Sequence, residues 1–121
     1  MAAKMEIVRK CLENIVSAGA EGVALVSRSG IPVDSILPED ATSETFAAMC
    51  ATVFGAAEVA CSEVKLEMPE EISITGAGFV LLLVSFNEGT RLVAYTHNMN
   101  RKGEILAVMK LGAKELETLI F

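Results

Sequence analysis

The sequence has few of the residues with which proteins bind nucleic acids. It contains no tryptophan, one tyrosine and five phenylalanines, and 16 acidic residues outnumber 10 lysines and arginines for a net charge of −6. No more than two basic residues stand side by side. Nucleic-acid binding needs a basic surface and often uses stacking aromatic side chains. The composition therefore argues against a nucleic-acid partner, and the negative charge argues against attraction to an anionic membrane.

Long apolar runs are also missing. The longest, at residues 78–84, falls far short of the roughly 20 residues that span a bilayer. The start of the chain lacks the basic segment and continuous apolar segment of a signal peptide. We therefore expect no membrane insertion and a cytoplasmic location.

Three cysteines are present, and their spacing includes no CxxC pair. The odd number and the spacing argue against a disulfide framework or a zinc site. Cys11, Cys50 and Cys61 are predicted to be reduced thiols that act as small hydrophobic residues of the core.

Apolar residues are plentiful, at 52% of the chain, and the mean hydropathy is +0.48. A chain of 121 residues fits one domain, residues 1–121, which has limited interior volume. Large exposed apolar patches usually mark protein contacts, so the surplus predicts oligomerisation.

Hydrophobic periodicity predicts three helices and five strands. The strands come mostly as antiparallel hairpins, and Pro32 predicts an edge strand because it lacks an N–H group. The expected fold is an α+β five-stranded antiparallel sheet with helices on both faces, in the order α-β-β-α-β-β-β-α. The predicted elements are helix 4–19, strands 22–28 and 31–37, helix 43–64, strands 70–76, 78–86 and 90–96, and a helix from about 101 that includes Ile120.

The middle helix, residues 43–64, has two distinct faces. One face is apolar and is predicted to cover the sheet: Phe46, Met49, Cys50, Val53, Phe54, Ala57, Ala60, Cys61 and Val64. The opposite stripe is made mostly of small residues: Glu44, Ala48, Ala51, Gly55, Glu58 and Ser62. Small residues let another helix approach closely, so this stripe is predicted to meet a partner. The alternative is a surface of good helix formers with no partner.

The pair Ser29-Gly30 stands between two apolar runs, where a nucleophile or a phosphate loop could lie. A nucleophile elbow needs glycine two residues before and after the serine, but Ser27 and Ile31 hold those places. No GxxxxGK[ST] loop occurs in the chain. The pair is therefore predicted to be a hairpin turn.

His97 is the only histidine, and no serine, cysteine or carboxylate motif points to it. Asp34, Glu39 and Asp40 lack the spacing of a calcium loop. The sequence thus predicts no catalytic residue, no cofactor and no metal site.

These features together resemble the roadblock/dynein light chain family, over residues 12–119. The similarity is most specific at EGVALVSRSGIPVDS (21–35), although Ser29 stands where many relatives carry aspartate. The alanine-rich helix 46–60 and the hairpin 78–96 match in place and type. The length and the first helix are more similar to prokaryotic relatives than to the shorter dynein light chain.

The resemblance implies a homodimer, or a dimer with a paralogue, in which the middle helices and third strands of two subunits pair. It also implies a non-enzymatic scaffold or regulator of a small Ras-like GTPase. The implied dimer-interface residues are Ala48, Ala51, Thr52, Gly55, Glu58, Val59, Ser62, Ile72, Ser73 and Ile74. The implied GTPase-contact residues are Glu44, Thr45, Thr52 and Glu63.

Three other functions stay open. The chain could be a small-molecule-sensing module, with a pocket between sheet and helix, or a purely structural dimerisation subunit of a larger complex. It could also stimulate a partner GTPase by supplying an arginine in trans, with Arg28 and Arg91 as the options.

Overall fold

The computed structural model describes residues 2–119, and within them it shows the predicted order of elements. The bounds are α1 Ala2–Ser17, β1 Gly22–Val26, β2 Pro32–Ile36, α2 Ser43–Glu63, β3 Glu71–Thr75, β4 Val80–Phe86, β5 Thr90–Thr96 and α3 Lys102–Glu117. Ile120, which was predicted to extend the apolar stripe of the last helix, lies outside the described residues.

The five strands form one antiparallel sheet in the order β2-β1-β5-β4-β3. The first and last strands of the order are its edges. Pro32 therefore lies on an edge strand, as predicted. The last strand in sequence, β5, is the central strand, because it pairs with β1 on one side and β4 on the other.

The helices form layers on both faces of the sheet. On one face, α1 and α3 enclose the larger core with residues such as Leu12, Leu82 and Ile105. On the other face, α2 alone covers a smaller core. The prediction of one α+β sheet between helical layers is confirmed.

The turn between β1 and β2 is held by two backbone hydrogen bonds. The N–H of Ser27 donates to the carbonyl of Ile31, and the N–H of Gly30 donates to the carbonyl of Ser27. Because these residues belong to the turn, β1 ends at Val26, two residues earlier than predicted. Gly30 has a φ of +90°, a conformation that side chains oppose. The predicted hairpin turn is confirmed, and it leads into a strand rather than a helix.

Candidate interaction surface

Helix α2 is the least buried long element of the fold. Of its 21 residues, only Ala47, Cys50 and Phe54 are buried. They pack on the buried apolar side chains that β1, β4 and β5 present on that face: Ala24, Val26, Leu83 and Val93. This narrow contact leaves most of an apolar helix without a partner in its own chain.

The outer face of α2 is exposed and mostly apolar. We use this name for the exposed positions Met49, Thr52, Val53, Ala56, Val59 and Ala60. Met49 is 55% exposed and Val59 is 61% exposed. The exposed apolar surface continues beyond the helix, with Val64, Leu66 and Met68. A contiguous surface of this kind is typical of a protein contact.

The predicted rotation of α2 about its axis is correct for Cys50 and Phe54, which are buried on the sheet, and wrong for other residues of the predicted apolar face. Met49, Val53 and Val64, which were predicted to cover the sheet, are exposed. Ala48 and Ala51, which were predicted to face a partner, lie beside the chain's own β1–β2 turn. A methyl group added to Gly30 would stand 3.1 Å from the Cα of Ala48 and 3.3 Å from the Cβ of Ala51. The small residues therefore let the chain's own turn approach.

Glu58, which is also in the implied dimer interface, contacts its own chain. Its Oε1 accepts a hydrogen bond from Arg91 at 3.4 Å. The other α2 positions of the implied interface differ from Glu58. Thr52, Val59 and Ser62 are exposed, and Gly55 has open space where a side chain would be. Their contact with a second subunit stays a prediction.

The implied GTPase contacts lie at the surface of α2. Glu44 and Thr45 are exposed in its first turn, and Glu63 is exposed at its last residue. Backbone N–H donation and the hydroxyl of Ser43 lower the pKa of Glu44, so its carboxylate stays charged. These positions are accessible, and their contact with a GTPase stays a prediction.

Strand β3 supplies an open sheet edge. Ile72 and Ile74 are half-buried on the α2 side, while Glu71, Ser73 and Thr75 are exposed on the other, which confirms the predicted alternation. Within the described residues β3 pairs only with β4. Its outer edge carries no proline, unlike β2, so its backbone groups can pair with another strand. The three β3 positions of the implied interface therefore lie on a free edge.

Arg91 is the one charged side chain that is fully buried among residues 2–119. Its guanidinium carbon lies 4.9 Å from the centre of the Phe54 ring, and one nitrogen donates to the carbonyl of Gly89 at 2.7 Å. Burial lowers the pKa of Arg91, the carboxylate of Glu58 raises it, and the charge of Arg28 lowers it. With 2% exposure, Arg91 cannot reach a partner's nucleotide, so it is excluded as an arginine supplied in trans.

Arg28 is exposed, and it donates to the carbonyl of Glu88 at 2.5 Å. It borders an open cavity of about 500 Å³ at the same end of the sheet. Glu58 lines this cavity together with the segment before β3 and the turn before β5. The cavity carries mixed charge and does not bring the side chains of a catalytic set together.

The candidate catalytic and metal-binding residues do not come together in one site within residues 2–119. His97 pairs through Nδ1 with Oε1 of Glu21 at 2.8 Å, and its backbone N–H and its ring both lower the pKa of that carboxyl group. Within residues 2–119, no group of three or more His, Cys, Asp and Glu side chains could hold a metal ion. Burial raises the pKa of Cys11 and of Cys50 to about 11, so both thiols are protonated at neutral pH.

By length and composition alone, α2 is also apolar enough to cross a membrane, and 17% of its most apolar window is buried. The same helix packs on the sheet through Phe54 and carries Glu58 in an ion pair. An unpartnered outer face accounts for its hydropathy without a bilayer.

Solved structures share this fold. MglB of Myxococcus xanthus superposes with a TM-score of 0.86 at 19% identity, covering 94% of both chains. A Roadblock/LC7 domain from Streptomyces avermitilis superposes with a TM-score of 0.80 at 11% identity, covering 91% of this chain and 94% of that one. Another structure of MglB is described as having a tetrameric arrangement. At these identities the likeness shows the class of fold.

Sequence comparison identifies the family. A model of the Roadblock/LC7 domain matches residues 11–96. The uncharacterized protein MJ0714 of Methanocaldococcus jannaschii is 33% identical over 113 residues, which cover 93% of this chain and 95% of that protein. MJ1340 of the same archaeon is 31% identical over 113 residues, covering 93% of this chain and 98% of that protein. The chain belongs to the Roadblock/LC7 domain family, and these relatives are archaeal.

Proposed function

We propose that the protein is a non-enzymatic, dimeric scaffold or regulator that binds a small Ras-like GTPase in the cytoplasm. The observation that carries the proposal is the exposed apolar outer face of α2 beside the open edge of β3. Family membership supports the class of partner, because the resemblance implies a GTPase scaffold.

The dimer follows from what the single chain leaves uncovered. Stable interfaces bury roughly 800 Å² per partner. A second copy that pairs its β3 with this β3 satisfies the free backbone groups and carries the sheet across both subunits. Ile72 and Ile74 then meet apolar side chains of the partner, and Met49 and Val53 leave water. One dimer contact would thus cover both the edge of β3 and the outer face of α2.

The GTPase would contact the paired α2 helices. Glu44, Thr45 and Glu63 add polar groups at the two ends of the outer face, around a centre where Ala56 is apolar and Thr52 adds one hydroxyl group. A polar rim around an apolar centre is the usual anatomy of a protein interface. Regulation would then act through the shape of the bound GTPase rather than through a catalytic side chain of this protein.

Binding is the test of this proposal. Small Ras-like GTPases from the genome that encodes the protein are loaded with GDP or with a non-hydrolysable GTP analogue, and their affinity for the immobilised protein is measured. We expect binding that depends on the bound nucleotide. Thr52→Arg should weaken it, because it adds charge at the centre of the surface.

The matched control is Leu111→Arg, on α3 at the opposite face of the sheet, where the side chain is 70% exposed. It should bind as the wild type does. A dimeric protein that binds none of the GTPases would instead support the structural subunit, and equal loss in both variants would place the contact elsewhere.

A further inference from the structure

Helix α2 has one polar side-chain link to the other elements that the structure describes. Its other side-chain hydrogen bonds stay within the helix: Ser43 bonds Glu44, and Thr52 donates to the carbonyl of Ala48. Thr42, at the N-cap, makes no side-chain capping bond. Among residues 2–119, only the pair of Arg91 and Glu58 joins α2 to another element by a hydrogen bond or ion pair. Within the described residues, the buried side chains of α2 contact the sheet by apolar packing.

Apart from the close approach of the β1–β2 turn to Ala48 and Ala51, apolar packing fixes the rotation of this helix only loosely. Burial is not directional, and α2 carries apolar side chains on most of its circumference. A change of one residue in the contact turns an α-helix by about 100°. Such a turn would replace Met49 and Val53 on the outer face by residues that now line the sheet.

Arg91 supplies directional contacts. Three groups surround its guanidinium: the Phe54 ring at 4.9 Å, the Glu58 carboxylate at 3.4 Å and the Gly89 carbonyl at 2.7 Å. Phe54 and Glu58 are four residues apart and lie on one side of α2, so one side chain of β5 contacts two successive turns of the helix. The carbonyl of Gly89 anchors the same guanidinium to the turn before β5.

The contacts of Arg91 are poorly suited to stabilising the fold. Nε of Arg91 is buried without a hydrogen-bond partner, and the bond to Glu58 is long. Desolvation of a buried ion pair often exceeds its attraction, and an apolar replacement is frequently neutral or stabilising. A methionine at position 91 would fill a similar space among the apolar neighbours of this core.

We propose that Arg91 is a positioning residue, which sets the rotation of α2 through Phe54 and Glu58 and thereby determines which residues the outer face presents to a partner. The inference rests on the proposed function only for the identity of that partner. The rotation of α2 is a property of the single chain and can be measured without one.

The experiment compares Arg91→Met and Arg91→Lys with the wild type by three measurements: thermal unfolding, self-association on dilution, and the methyl NMR signals of Met49 and Val53. For Arg91→Met we expect a melting temperature equal to or above that of the wild type. Self-association should weaken by about tenfold or more, as for groups that are energetically coupled. The Met49 and Val53 signals should shift or split, because the helix samples a second rotation.

Arg91→Lys keeps the charge and should restore the wild-type methyl signals in part, since it lacks the planar fork that reaches several groups at once. Glu58→Gln serves as the second variant should Arg91→Met fail to fold. It leaves Arg91 in place with a neutral acceptor, and the same methyl signals should move.

Wild-type methyl signals and self-association in Arg91→Met would overturn the inference. So would a melting temperature that falls in every variant while Met49 and Val53 keep their signals, because Arg91 would then act through stability. A wild-type protein that is monomeric and binds no GTPase contradicts the proposed function instead. In that case the methyl signals still decide the role of Arg91.

Discussion

Phe54→Ala should be among the most destabilising single changes in the chain. Phe54 is fully buried, is one of three buried residues of α2, and lies under the guanidinium of Arg91. Replacement of a buried phenylalanine by alanine costs about 3–5 kcal/mol, through lost burial and the cavity left behind. Loss of the aromatic face beneath the cation adds roughly 1 kcal/mol. The sum is a large part of the ~5–15 kcal/mol stability of a typical domain.

The assay is urea unfolding followed by circular dichroism, with Phe54→Leu as the matched variant. Leucine keeps most of the buried volume and should cost about 1.5 kcal/mol or less from packing, plus the lost contact with Arg91. We therefore expect the alanine variant to be about twice as destabilised as the leucine variant, or more. A loss below about 1 kcal/mol for Phe54→Ala would refute the view that this narrow core holds α2 on the sheet, since it is less than the smallest burial loss expected.

Two further predictions concern α3 and the thiols. Gly103→Ala should raise the unfolding free energy by up to about 1 kcal/mol, because alanine favours the helix and the added methyl group meets open space. Gly112→Ala in the same helix should lower it, because its methyl group would stand 2.6 Å from Sγ of Cys11; equal effects in urea titrations of the two variants would contradict the packing of α1 on α3. Thiol titration with a disulfide reagent near pH 8 should modify Cys61 first. Cys11 and Cys50 should react slowly, because burial raises their pKa to about 11 and keeps them protonated; fast reaction of all three in the folded protein would contradict that burial.

The strands and their order along the chain could be predicted because their signals are local. Alternation of Ile72 and Ile74 with polar neighbours marks β3, and Pro32 marks an edge. Ser29-Gly30 marks the turn between β1 and β2 because Gly30 adopts the positive φ that the turn requires. Each of these signals depends only on the residue itself and on its neighbours in sequence.

The orientation of α2 could be predicted only in part, because it also depends on contacts distant in sequence. The small side chains of Ala48 and Ala51 let the turn at Gly30 approach α2 closely. In the sequence, small residues that accommodate a turn cannot be told from small residues that pair with another helix. The burial of Arg91 could not be predicted from the sequence for a related reason. It stands beside a turn at the start of the last strand, where a charged residue is ordinarily exposed. The sheet order makes that strand central, and only then does the arginine lie under α2.

We propose that a second subunit covers the outer face of α2 and the edge of β3. The most direct test is the mass in solution, by sedimentation, of the wild type, of Val53→Glu and of the control Leu111→Glu. We expect twice the chain mass of 12.8 kDa for the wild type and the control, and a folded species of lower mass for Val53→Glu. A wild type that sediments as a monomer, or a Val53→Glu variant that stays fully dimeric, would contradict it.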